Sequence, residues 1–401
     1  MKLVAGLRAW LAVVGLTLLL ALVTSGWGLM PSYVPSDREA FDSVLYLRKL
    51  GGAGAFLRAV HVHAASGLVS VGALFLLAAY LDGAVPRERR TWFLALGLFS
   101  VVLFFCFTGF LLPMDQNAYW GTRVRFGIIE TAGGVGPPGA DFLRGGEALN
   151  ASTLPRFYAL HVGILPFVAA ALLSALLWEA RARIVALGGA RLLGSALVVL
   201  LALYAVAGAL PAPLEPRAAP GDTEYVPRPE WYFLWLFQFG KYFESMPWVR
   251  SLLLPALAAA ALFAAAFRTD SQATRRAVAL AAVFGFLLLT GLARYEDRAL
   301  PPKLSHEQTL RARAVFIFKE ECSVCHGESG KGDGSQGKTF DLKMPDMNQA
   351  AFWKDQSDDR MRNTIRNGKG EDMPAFAKKL TAEEIDALIV MLGERFRPGS
   401  R

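Results

Sequence analysis

Seven stretches of about twenty apolar residues, at 10–30, 55–81, 92–112, 157–179, 192–210, 248–267 and 277–293, leave this 401-residue chain few choices of fold. Each is near the length a helix needs to cross a hydrocarbon layer, and inside such a layer every backbone amide must bond within its own helix. An all-α architecture built on a seven-span transmembrane helical bundle follows. Composition agrees, with 54% hydrophobic and only 19% charged residues. The first stretch also admits a signal-peptide reading, because Lys2 and Arg8 precede its apolar core, but no convincing small-residue cleavage pattern closes it.

The formal net charge of +8 by itself points to nucleic acid, and its distribution argues against that partner. Residues 303–401 carry 17 basic and 16 acidic side chains, whereas residues 1–302 carry 25 and 18. Charge is dense in a short tail and sparse in a long apolar body. Such a step marks a domain boundary near Pro301-Pro302, with a small soluble domain following the membrane unit. With the N-terminus inside, the inner connections hold Arg87, Arg89 and Arg90, then Arg181, Arg183 and Arg191, then Arg268, Arg275 and Arg276. The longer outer connections mix acids with bases, the asymmetry expected of a multi-pass protein oriented by its positive loops. An odd number of spans then delivers the tail to the outer face.

In the tail, Cys322-Ser-Val-Cys325-His326 has the spacing of covalent haem attachment, in which two thiols bind the porphyrin and the adjacent imidazole reaches the iron. Gly327-Glu-Ser-Gly-Lys-Gly-Asp-Gly334 follows, Met373-Pro-Ala-Phe lies 47 residues beyond His326, and an amphipathic helix spans about 381–395. The tail resembles a small class I cytochrome c, which implies Met373 as the sixth ligand, with Met344 and Met361 as rivals. Ser305-His306-Glu307-Gln308 reads as a capping box opening the domain's first helix, which makes His306 a solvent-facing residue.

Three histidines remain for the membrane body. His61 and His161 enter the second and fourth spans from the same side and lie at similar depth, roughly 6 to 9 Å below the boundary at 1.5 Å per residue. An imidazole there needs a partner, and two facing helices with one His each can clamp an iron between them. The plainer alternative is two unrelated hydrogen-bonded histidines. His63 points about 200° away from His61 and reads as structural, bonding a carbonyl or water. Cys106, inside an apolar run, reads as packing.

The segments Leu57-Arg-Ala-Val-His61, Thr108-Gly-Phe-Leu-Leu-Pro-Met-Asp-Gln-Asn-Ala-Tyr-Trp120, Arg156-Phe-Tyr-Ala-Leu-His161 and Pro229-Glu-Trp-Tyr232 resemble, in order, the signatures of cytochrome b of the quinol-oxidising bc and b6f complexes. The resemblance divides the chain into a haem-bearing four-helix region at 1–190, a subunit IV-like three-helix region at 191–300 and a cytochrome c domain at 301–401. It implies one haem b on His61 and His161, with Arg58 pairing a propionate. It also implies one haem c on Cys322 and Cys325, with His326 and Met373 as axial ligands. Quinol would be the substrate, in a pocket walled by Tyr119, Pro229 and Trp231, with Glu230 and Tyr232 handling its protons.

One departure is sharp. A second haem in that family uses histidines 14 or 15 residues further along the same two helices, and here those positions are Phe75, and Ala175 or Leu176. An inner bis-His haem is therefore not expected, and the family's transfer of an electron across the membrane is put in doubt. No Rieske-type pair of Cys-x-His motifs occurs in the chain, so an iron–sulfur acceptor must be a separate subunit. The expectation is the cytochrome b/c subunit of a quinol:cytochrome c oxidoreductase, a homodimer in the bacterial cytoplasmic (inner) membrane. Its cytochrome c domain would lie on the periplasmic face and pass electrons to a soluble cytochrome c or a terminal oxidase. The alternative is a non-catalytic membrane-anchored electron relay for another respiratory complex.

Overall fold

A computed structural model describes every residue except Met1, Leu50, Gly51, Thr223, 301–305, Glu371, Lys378, Ser400 and Arg401. It divides into two compact units, Met1–Leu214 with Pro227–Leu300, and Glu215–Val226 with Pro301–Arg401. Ser305 and the Pro301-Pro302 boundary lie outside the described residues.

In chain order the first unit comprises α1 (Lys2–Leu29), α2 (Ala40–Lys49), α3 (Ala53–Leu81), α4 (Arg89–Leu111), α5 (Gln116–Glu130), α6 (Gly136–Arg144), α7 (Thr153–Tyr158), α8 (Leu165–Leu187) and α9 (Gly189–Ala209). It continues with α10 (Leu234–Lys241), α11 (Leu254–Ala265) and α12 (Gln272–Glu296). Six helical stretches are long and apolar enough to cross a membrane: Gly6–Ser32, Ala53–Leu81, Arg89–Leu111, Thr153–Ala182, Gly189–Ala209 and Gln272–Ala299. The seventh, Val249–Ala265, is shorter than the stretch at 248–267 read from sequence. It opens with a widened π turn, Val249–Leu253, just before Pro255. Proline has no N–H to give the preceding turn, so that turn is free to loosen.

α1 is an integral member of the bundle, which does not suit the signal-peptide reading. It packs against α3 and α9, and its buried Arg8 pairs with Asp82 at 3.2 Å and Glu88 at 2.6 Å. At the other end of the bundle α2, α4, α5, α6 and α7 share a core of Ala40, Leu111, Phe126, Ala140, Leu154 and Phe157. The connection at 113–156 is thus mostly helical, a cap over the membrane helices near His161.

The second unit contains α13 (His306–Ile317), α14 (Ser323–His326), α15 (Ser335–Thr339), α16 (Ala350–Lys354), α17 (Asp358–Asn367) and α18 (Ala382–Phe396). No strand occurs among the described residues, and an isolated antiparallel bridge joins Lys369 to Met373. α13 packs on α18 around Ile317, Phe318, Leu388 and Leu392. α18 starts with a capping box of Thr381 and Glu384. The Glu384 carboxylate, 2% exposed, also meets Arg313 and, at 3.7 Å, Arg217. Arg313 donates to the Ala218 carbonyl at 3.1 Å, so the segment 215–226 is stitched to this unit through one buried acid.

Burial alone would raise the Glu384 pKa, but Arg313, the Thr381 amide and Arg217 outweigh it and hold it below the usual carboxylate value. A folded-state pKa below the unfolded one contributes stability above the ordinary glutamate pKa, about 4.3, and that stability is lost as pH falls through the folded value. Glu384→Ala should destabilise the unit by about 3 kcal/mol, since it removes the buried acid that two part-buried guanidinium groups share. Denaturant unfolding of the full protein, followed at its c-type haem band, checks this. A midpoint unchanged at pH 7 would count against it.

Candidate redox site

The two membrane histidines meet. His61 on α3 and His161 lie with ring centroids 6.3 Å apart and planes inclined at 61°. His161 sits in a π turn, Ala159–Ile164, joining α7 to α8, and Pro166 in the first turn of α8 explains the loosening by its missing N–H. Each ring is anchored by its Nδ1. His61 Nδ1 lies 3.1 Å from Ser25 Oγ, which itself donates to the Ala21 carbonyl. His161 Nδ1 lies 2.9 Å from Thr108 Oγ1, which donates to the carbonyls of Phe104 and Phe105. With both hydroxyl protons committed, each oxygen accepts from an Nδ1–H, leaving both Nε2 lone pairs free.

Close approach explains two glycines. A Cβ on Gly109 would lie 2.8 Å from His161 Cε1, and one on Gly26 would lie 3.3 Å from His61 Cε1. Thr108→Val or Gly109→Ala should therefore weaken retention of a group held by the pair about tenfold or more, measured by haem extraction, while the c-type haem stays bound. His63 turns away and bonds the Leu210 carbonyl at 2.7 Å through Nε2. Arg58 is also engaged by carbonyls, those of Ala212 at 3.1 Å and Pro213 at 2.7 Å. That leaves part of its five-donor fork for another acceptor.

At the positions a second histidine pair would take, the side chains are apolar. Phe75 lies beneath the Arg8 guanidinium, 5.9 Å from it, and Phe99 packs so close to Gly72 that a Cβ there would lie 2.6 Å from the ring. Ala175 and Leu176 are half-buried on α8.

The other face of α4 meets the segment 227–233. Asn117 clamps that segment by exchanging two 3.0 Å hydrogen bonds with the Arg228 backbone, and Arg228 pairs with Asp297. Tyr232 reaches the Cys106 thiol, giving that cysteine a polar neighbour beyond its packing role. Trp231 turns toward α3 and donates to Ser66 Oγ at 3.0 Å, and it remains 39% exposed. Glu230 keeps one side open to solvent. Its crowded remaining sides nonetheless push its pKa up, with Arg125 opposing and Asp115 adding. Burial pushes Tyr232 up as well. Tyr119 stands beside Trp120 at 5.4 Å, and Pro229 is half-buried.

Arg125 and Asp115 were not singled out by sequence reasoning. Asp115 caps α5 by accepting from Ala118 N–H at 2.9 Å, which a helix-start signal could have found. No sequence signal distinguishes Arg125. Its guanidinium lies 3.6 Å from the Phe110 centroid, and burial lowers its pKa to about 10 against the pull of Glu230.

Residues 6–180 match the family model described as cytochrome b/b6/petB, and residues 311–390 match cytochrome C oxidase, cbb3-type, subunit III. The chain thus carries a region matching cytochrome b/b6 in its N-terminal half and one matching a cbb3-type cytochrome c at its C-terminal end. Among solved structures, a chain of a "Hyperthermophilic respiratory Complex III" is similar at TM-score 0.60 and 22% identity, covering 77% of this chain and 87% of that one. At that identity the likeness is one of fold. A cytochrome b/b6 domain with several long apolar helices makes this a multi-pass membrane protein.

The two cytochrome domains imply haem b and haem c, and this chain's residues fit both. The 6.3 Å between the imidazole centroids holds one iron with metal–nitrogen bonds of about 2 Å on each side, the remainder being the two half-rings. In the cytochrome c domain Cys322 and Cys325 are free thiols. Burial keeps His326 neutral by lowering its pKa, and its Nδ1 is buried without a partner among the described residues. The turn after it, with Gly327 at φ +76°, brings Gly332 N–H to the His326 carbonyl at 2.8 Å. Met373 is held by paired backbone bonds to Lys369 and packs, like Cys322, on the edge of the unit's core. Met361 is buried inside that core. Met344 packs beside Gly332.

Proposed function

We propose that this protein is the cytochrome b/c subunit of a quinol:cytochrome c oxidoreductase. The observation that carries the reading is the placement of α4 as a shared wall. Phe105, Thr108 and Gly109 face His161, and Cys106 and Phe110 face Tyr232 and Arg125. One helix thickness, roughly 10 Å, therefore separates a bis-histidine clamp from an acid–phenol cluster.

His61 and His161 would hold one haem b, and Arg58 has donors left that would pair a propionate. Cys322 and Cys325 would attach haem c, with His326 and Met373 holding its iron. Bound haem supplies one-electron acceptance at each station. Quinol binds between Tyr119, Pro229 and Trp231, Glu230 takes a proton from its hydroxyl, and Tyr232 orders the pocket around that carboxylate. The raised Glu230 pKa suits a group that must both accept and release a proton near neutrality.

The N-terminus faces the cytoplasm of a bacterial inner membrane, following the basic connections, and the cytochrome c domain lies on the periplasmic face. Residues 191–300 form the subunit IV-like part. The proposed partners are a separate Rieske iron–sulfur protein, a second copy in a homodimer, and a soluble cytochrome c or terminal oxidase that the cytochrome c domain would serve. The apolar character of the inner positions, Phe75 among them, favours a single b haem. It also gives the second reading, a relay cytochrome, its specific support. Addition of a short-chain quinol to the purified complex separates them: the enzyme reduces its b haem and co-purifies with an iron–sulfur subunit. A b haem that stays oxidised would sink the enzyme reading.

A further inference from the structure

We propose that Arg125 is a substrate-binding residue that holds the oxygen of the quinol hydroxyl while Glu230 takes its proton. The inference rests on the quinol-oxidising reading and deepens it.

Arg125 projects from α5 onto the face of Phe110, 3.6 Å from its centroid, with Phe107 at 5.9 Å. Its Nη1 is buried and has no hydrogen-bond partner among the described residues. A guanidinium can only donate, and a buried charged donor left unmet is costly. Charge balance for Glu230 accounts for a cation in this place but not for the idle Nη1. A simple ion pair would engage the fork with both carboxylate oxygens. The guanidinium carrying that donor stacks on Phe110 and feels the charges of Glu230 and Tyr232.

A ring hydroxyl both donates and accepts, and the two side chains divide those roles. Ionised Glu230 can only accept, and Arg125 can only donate. When the O–H bond breaks heterolytically, the proton goes to a Glu230 carboxylate oxygen and the bonding pair stays on the ring oxygen. Negative charge grows there, and a preset N–H in a crowded site opposes it most effectively at that moment. The pocket should therefore prefer an oxyanion-bearing ring to its neutral counterpart.

Two probes of equal size test this on the full protein with both haems bound. One is an alkylated 2-hydroxy-1,4-naphthoquinone, anionic at neutral pH, and the other is the same alkylated naphthoquinone without the hydroxyl. Arg125→Leu should weaken the anionic probe about tenfold or more while leaving the neutral one within about threefold, and Arg125→Lys should recover part of the loss by charge alone. Unchanged b and c haem spectra certify that the variants are folded. Equal weakening of both probes, or none, would overturn the assignment of Arg125. The wider quinol reading would then still stand if Glu230→Gln slowed haem b reduction. Failure of the unmodified protein to bind either probe would overturn both.

Discussion

Replacing His161 with Ala should remove the b-type absorbance altogether and leave the c-type band intact, taking the protein from one b haem per c haem to none. No other histidine in the membrane body is free to replace it. Only His61, His63 and His161 lie there, and His63 is committed to the Leu210 carbonyl on another side of α3. The counterpart His61→Ala should behave alike, because a group clamped from both sides loses its geometry with either ring. Haem counting on the unmodified protein belongs to the same experiment. Two b haems per c haem would contradict the single-haem reading, since the positions of the second pair hold Phe75, and Ala175 or Leu176.

The next largest effect is expected at Glu230. Glu230→Gln keeps the size and removes the proton acceptor, so reduction of haem b by quinol should slow by about a hundredfold or more with both haems still bound. The pH dependence follows from the direction of its shift. Desolvation on its crowded sides raises the carboxyl pKa, against the pull of Arg125, and the active form of a base is the ionised one. The rate should thus climb as pH rises through that elevated value, and the glutamine variant should lose this limb of the profile. Stopped-flow reduction at a series of pH values measures it. An unaltered profile in the variant would remove Glu230 from the proton path.

The proposed ligand positions were legible because their chemistry is local or nearly so. Cys322, Cys325 and His326 lie within five residues, a spacing that one helical turn reproduces wherever it folds. His61 and His161 were legible through depth, since a polar ring four to six residues inside an apolar span carries its own explanation with it. Ser25 and Thr108 were not, although each fixes a tautomer. Ser25 lies 36 residues from His61 and Thr108 lies 53 from His161, and a hydroxyl in an apolar helix has no sequence mark that tells back-bonding from ligand support. The turn of Trp231 toward Ser66 was equally invisible, because the two lie across the bundle, 165 residues apart.

From the order of residues alone came the approximate limits of the apolar helices, the Cys-x-x-Cys-His turn at 322–326, the pair of membrane histidines and the absence of an inner pair. Each of these is set by hydrophobic length, helical period or the presence of an atom able to bind iron. Folding in three dimensions decided the rest. It set α1 into the bundle as a supplier of Ser25 and Gly26, drew the segment 215–226 onto the soluble unit through Glu384, and placed Arg125 within reach of Glu230's field. Those outcomes depend on side-chain distances between segments far apart in the chain, which only helix packing determines.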